Sequence, residues 1–172
     1  DSHACTPEHV PGGGWEGQLL LNYVTVPGQI SYRALLPQGL DNLLVPGCAS
    51  STHIGWGALR LEPTWMSMAE AAAHATVLAI RQKKTPATIN VDELVRLLAG
   101  RRIMLTFFND VEVDSRESWY PSVQYFGTQG FFGSYDAQPL GALTVPVAGA
   151  WAEAMVQWIR GEAVDGTARA RR

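Results

Sequence analysis

From Thr64 to Gln82 the chain runs without a glycine or a proline, and alanine recurs throughout: TWMSMAEAAAHATVLAIRQ. Alanine gives up no side-chain entropy in a helix and unbranched residues give up little, so the stretch predicts the longest helix of the chain. Pro63 stands where a first-turn proline belongs, with its φ already set and no N–H to leave unpaired. Arg81, Lys83 and Lys84 lie at the negative end of the helix dipole. A helix of about twenty residues is roughly 30 Å long, enough to cross a domain. The small side chains of Ala69, Ala72, Ala73 and Ala79 let a second backbone or a flat ligand come close to it. Whatever fold this chain adopts is arranged around that rod.

The remainder of the chain can build a core around it. Of the 172 residues, 47% are apolar and 17% charged, which sets the chain apart from disordered tails. The net charge of −3 gives no electrostatic footprint for nucleic acid. The basic TARARR at 167–172 reads as a frayed terminus, not as a binding arm. No apolar run is long enough to span a bilayer, so no membrane partner is expected. The chain opens on DSHACTPEH without a signal-peptide pattern and reads as a piece of a longer polypeptide. Cys5 and Cys48 form no CxxC; they could pair, but two cysteines do not define a redox compartment.

Punctuation by Gly and Pro divides the first third. VPGGGWEG is a loop; QLLLNYVTV (18–26) predicts a strand closed by Pro27-Gly28. ISYRALLP (30–37) reads as extended. Leu43-Leu44-Val45 reads as a short strand buried on both faces, stopped by Pro46-Gly47. Residues 47–66, GCASSTHIGWGALRLEPTWM, read as a small-residue loop feeding the long helix. A second helix is expected in TPATINVDELVRLLAGR, capped by Asn90 or Asp92, striped by Leu94, Leu97 and Leu98, and followed by Gly100. Beyond about residue 106 the texture becomes aromatic and glycine-rich, with a short helix near 120–128 and a final one near 146–160. The organisation expected is therefore 1–105, a small helical module at 106–161 and a polar tail at 162–172.

The loop before the long helix carries the chemistry. A helix N-terminus leaves N–H groups unpaired and carries partial positive charge, and a preceding Gly/Ala/Ser loop lets a ligand approach them. Phosphate, carboxylate or an electron-rich ring edge would suit Pro63–Met66; the alternative is that small residues there merely pack a helix on a sheet. There is no GxxxxGK[ST] and no GxGxxG after a strand. His53 reads first as a turn histidine, and Arg60 and Glu62 as a pair on one side of a strand-like step. Asp1, His3, Cys5 and His9 are ligand types at a spacing that fits no standard zinc pattern, and no metal is expected. His74 is expected on the helix body, partly buried.

Taken in order, DSH (1–3), ISYRALLP (30–37), NLLVPGCASSTHIGWGALRLEPTWMSMAEAAA (42–73) and VDELVRLL (91–98) resemble the C-terminal part of a family of FAD-dependent oxidoreductases with the glutathione-reductase-like flavoprotein fold, many of them loosely called "xanthan lyase-like". The resemblance covers about residues 1–105. It implies an α/β fold, α+β as a fragment, forming the C-terminal part of a two-dinucleotide-binding-type FAD architecture. The family's strand–GxGxxG–helix unit, which grips the FAD pyrophosphate, is absent here, so the resemblance implies a missing N-terminal nucleotide-binding portion on the same or a second chain.

The same resemblance implies roles for the loop. Val45, Pro46, Gly47, Cys48, Ser51 and Thr52, with Pro63, Thr64, Trp65 and Met66, would contact the pyrimidine edge of the isoalloxazine. Reduction places negative charge there, and a positive helix end favours it. His53 and His3 would act on the substrate side, where a histidine can take a hydroxyl proton as hydride leaves the adjacent carbon. Arg60 and Arg33 would orient an oxygen-rich substrate or hold the loop. The implied reaction is oxidation of an alcohol or sugar-like CH–OH group. Ala69 and Glu70 stand where the family usually has glycine and glutamine, and Cys48 where many such flavoproteins have an acidic residue.

FFNDV followed by WYPSVQYFGTQGFFGSYD and LTVPVAGAWAEAMVQWI looks like one degenerate S-layer-homology-type module, with Val145 where an arginine is usual. Tandem modules of this kind bind cell-wall polymers, which supplies a competing reading: a non-catalytic surface-attachment or assembly module. Trp119, Tyr120, Tyr125, Phe126 and Trp158 read as core or interface residues first and sugar platforms second.

Overall fold

The computed structural model describes residues 27–164, and among these the regular structure is helical, with no strand. The expected strand at 18–26, the DSH motif and the polar tail from 165 lie outside the described residues. The helices are α1 (His53–Leu59), α2 (Glu62–Gln82), α3 (Val91–Gly100), α4 (Tyr120–Thr128) and α5 (Val145–Ile159).

α2 is the rod read from its alanines, begun at Glu62 with Pro63 in its first turn and ended by Lys83, which turns left-handed at φ 54°. Met68, Ala72, Ala75, Leu78 and Ala79 form its buried face. The expectation for the small residues thus divides: Ala72 and Ala79 are buried in the core, whereas Ala69 and Ala73 are exposed. His74 is half-buried on the helix body. α3 is capped by Asn90, whose side chain accepts from the Asp92 amide, and Gly100 is its last residue. Leu94 and Leu98 lock α3 onto Ala75, Leu78 and Ala79 of α2, with Ile89, Tyr32 and Leu44 completing the cluster.

Three sequence expectations before α2 fail. Residues 32–35 coil into a 3-10 turn, with Ala34 N–H bonded to Ser31 O. A 3-10 turn eclipses positions i and i+3, which sets Tyr32 and Leu35 together on α2; Leu35 is only 3% exposed. Leu43–Val45 makes no strand, and Leu43 is exposed. The coiled 32–35 segment offers isolated acceptors and no ladder: Val45 N–H reaches Leu35 O at 2.9 Å and Ser50 N–H reaches Ala34 O at 2.7 Å. The third failure is the loop at 47–66, which contains α1.

Gly55 and Gly57 argue against a helix at 53–59 by about 1 kcal/mol each. Two contacts offset them. Thr52 caps α1, its Oγ1 accepting from Gly55 N–H at 3.0 Å. Trp56 then meets Trp65 of α2 with ring centroids 6.2 Å apart. Gly55 belongs to the cap itself, since a Cβ there would come to 3.2 Å from Thr52 Oγ1.

After α3 the chain folds back through Leu105 and Thr106, whose amides both bond to Gln124 Oε1 of α4, at 2.7 and 2.8 Å. Gln124 is 1% exposed. α3 and α4 are also joined by Asp92, which accepts from the Tyr125 hydroxyl, and by Arg96, which bonds both and lies over the Tyr125 ring. Burial, then the hydrogen bond to Asp92, pushes the Tyr125 phenol above its ordinary value of 10.0. Phe108, Val111, Tyr120 and Val123 form a separate small core. Asp110 pins the returning loop by accepting from the Ala137 and Gln138 amides. α5 is held by Trp151, stacked among Phe126, Phe131 and Phe132, and by Trp158, whose indole N–H donates to Gln129. No helix of the described residues is long and apolar enough to cross a membrane.

Candidate functional site

The candidate site is the junction where residues 45–52 and α1 meet the start of α2. Pro46–Cys48 is a 3-10 turn packed against α2, not a strand end. Ala49 anchors it, buried against Leu35, Met68 and Ala72. Several amides expected to face a ligand are used by the protein itself: Val45 and Ser50 as described, and Cys48 through its bond to Val45 O. Gly47 is exposed, with open space where a Cβ would stand. Cys48 is exposed and free. Ser51 and Thr52 are exposed; Ser51 Oγ donates to Thr52 O. The Thr52 oxygen is engaged as the cap, which leaves its hydroxyl hydrogen as the group able to donate outward.

The mouth of α2 is open. Leu61, at the N-cap position, has no side-chain acceptor for the first-turn amides, Pro63 brings no amide, and the Trp65 amide is already bonded to Leu61 O at 3.1 Å. Leu61 is 56% exposed and Met66 72%; Glu62 and Pro63 are exposed, Thr64 and Trp65 half-buried. Trp65 packs into the core beside Met68, and its indole N–H is buried with no acceptor. A buried donor without an acceptor is costly, and because the atom is enclosed that cost is carried inside the protein, out of reach of a ligand at the junction. Glu62 works the other way: its carboxylate lies in the first turn and offsets part of the positive helix end. On balance the junction fits a neutral, electron-rich ring edge better than a fully charged anion.

The two arginines belong to different elements. Arg60 closes α1 as its C-cap, one residue before the N-cap of α2, so the strand-like step expected at Arg60–Glu62 is instead a break between helices. Arg33 is exposed in the 3-10 turn at 32–35. His53 is the first residue of α1, directly after its cap. His3 lies outside the described residues, as do Asp1, Cys5 and His9. No cluster of metal-ligating side chains occurs among the described residues. Reading 47–66 as one loop missed Trp56. The one local signal was Thr52, a residue type suited to an N-cap, set against Gly55 and Gly57, which speak for a loop.

Comparison with the curated proteins and with the solved structures gives no match. A family model does match: that of FAD dependent oxidoreductases aligns with residues 1–98, from the first residue through Leu98 of α3, and so takes in the whole junction of 45–52, α1 and α2. FAD is the cofactor this membership implies. More than half of the chain lies within the match, and the chain belongs to the FAD dependent oxidoreductase family.

Proposed function

We propose that this chain contributes the isoalloxazine-contacting and substrate-side portion of an oxidoreductase acting on an alcohol or sugar-like CH–OH group, within a glutathione-reductase-like, "xanthan lyase-like" α/β flavoprotein. The observation that carries the reading is the mouth of α2 inside the family-matched region: a helix N-terminus with no side-chain cap, reached through the exposed turn at Gly47 and Cys48. Bound FAD supplies the two-electron acceptor. Pro63, Thr64, Trp65 and Met66 would border the pyrimidine edge of the ring through the backbone of the first turn, the Trp65 indole lying in the core and the Met66 side chain pointing to solvent. Gly47, Cys48, Ser51 and Thr52 border the same edge, and Val45 and Pro46 set the turn that presents them. Because this chain has no GxGxxG, the nucleotide end is held by a further nucleotide-binding portion, on the same or a second polypeptide.

On the substrate side, His53 takes the hydroxyl proton while the C–H bond yields hydride, leaving a carbonyl product. His3 shares that side, and Arg60 and Arg33 orient the substrate oxygens. Reconstitution with FAD tests the class: absence of flavin absorbance in the intact polypeptide removes it. Substitution His53→Ala tests the base: flavin reduction by substrate slows, whereas an unchanged rate takes His53 out of the mechanism.

A second reading concerns residues 106–161 as an S-layer-homology-type attachment module. It is supported by the α4–loop–α5 order, by Asp110 pinning the loop, and by the exposed aromatic pair Phe107 and Tyr135, 6.2 Å apart. Pull-down with purified cell wall by the intact chain, lost in Phe107→Ala/Tyr135→Ala, is the expected outcome; equal retention of both proteins removes the reading.

A further inference from the structure

α2 is apolar on two faces. One is buried in the core. The other carries Met66, Ala73 and Ile80 at seven-residue intervals, with Ala69 and Val77 on either side of Ala73. At about 100° per residue these five positions fall within a stripe roughly 80° wide. All are exposed, Met66 at 72%, Ile80 at 71% and Val77 at 46%. An ordered stripe of this kind marks an interaction surface, where isolated exposed apolar residues would not.

The stripe is self-complementary about Ala73. A two-fold axis through Ala73 sets Met66 on the partner's Ile80 and Ala69 on the partner's Val77, with the smallest side chain at the crossing point. The charges make the same choice. Glu62 and Glu70 lie in the N-terminal half of α2, and Arg81, Lys83 and Lys84 at or just past its C-terminal end. Antiparallel pairing brings the acidic N-terminal half of one α2 to the basic C-terminal end of the other and opposes the helix dipoles. Parallel pairing would set acid against acid and base against base, which disfavours it. A seven-residue apolar period is also the pattern of helices crossing at about 20°, and a patch that matches itself under rotation is what an isologous dimer requires.

We propose that α2 pairs antiparallel with α2 of a second copy of this chain through Met66, Ala69, Ala73, Val77 and Ile80. The pairing does not draw on the cofactor reading, so a monomer that binds FAD and a dimer that does not are distinguishable results. Sedimentation velocity over a concentration series tests it, with the 18.7 kDa chain expected to double in mass. Ala73→Glu, at an exposed position, is expected to sediment as a monomer with unchanged helical circular dichroism. Register is read by disulfide trapping after both native cysteines are changed to serine. Ala73→Cys links to itself, and Met66→Cys links to Ile80→Cys but not to itself. A monomer at every concentration overturns the proposal and leaves the stripe to a different polypeptide. A dimer that survives Ala73→Glu, or a Met66→Cys self-link, overturns it as well.

Discussion

Replacing Trp65 by phenylalanine separates two quantities that usually move together. In the protein without flavin, the buried Nε1–H has no acceptor, and an orphaned buried donor costs about 1–3 kcal/mol. Phenylalanine removes that penalty. It also removes part of an indole that is half-buried against Met68, Ala72 and Trp56. Losing roughly 50 Å² of apolar contact costs about 1.2 kcal/mol at 25 cal/mol per Å². The relief matches or exceeds the loss, so Trp65→Phe is expected to lie between the parent and about 2 kcal/mol above it in urea unfolding, where a buried tryptophan substitution would ordinarily be severe. The indole N–H is enclosed by the protein, so the change leaves the mouth of α2 as it is. The FAD dissociation constant, read by equilibrium dialysis, is expected to stay within about twofold. A loss of about 3 kcal/mol in stability would refute the argument, because it would mean the indole N–H is satisfied by the protein.

Gln124→Met keeps the side-chain volume but takes the acceptor from the Leu105 and Thr106 amides; a loss of about 2–4 kcal/mol is expected from two half-buried donors, measured by chemical denaturation at constant m-value. Gly127→Ala would place a Cβ 2.8 Å from Thr106 Oγ1 and 2.9 Å from its Cβ, and overpacking of about 1–3 kcal/mol is expected as a lowered melting temperature. Tyr125 has its phenol pKa raised on folding, so the folded state holds that proton more tightly. The associated stability is complete below pH 10, the unfolded value, and is lost as pH rises through the folded value. Tyr125→Phe should flatten that alkaline limb of the stability curve, as followed by circular dichroism.

Much of the helical framework could be read along the chain because its determinants are local. Alanine density, Pro63 and the basic end define α2; Asn90 and the leucine stripe define α3; the aromatic run near 120 and the apolar run near 146 define α4 and α5. The family motifs were equally legible, since they are ordered residue identities spread across 1–98. The same holds for FAD, which follows from that membership.

Other features depend on what a segment touches. ISYRALLP and LeuLeuVal are apolar runs with the texture of strands, yet they become turns because the surface they meet is a helix, which offers pockets for Tyr32 and Leu35 but no ladder of backbone partners. Gly55 and Gly57 speak for a loop until the Thr52 cap and the Trp56–Trp65 contact are added, and that contact joins two different helices. By itself, then, the sequence determined the long helix, the order of helices after it and the family. Only the tertiary structure decided which face of α2 is core, which amides near Gly47 are already spent, and that the indole N–H groups of Trp65 and Trp119 are buried without an acceptor. Helix propensity and capping are summed over neighbours in sequence, whereas burial and hydrogen-bond satisfaction are set by neighbours in space.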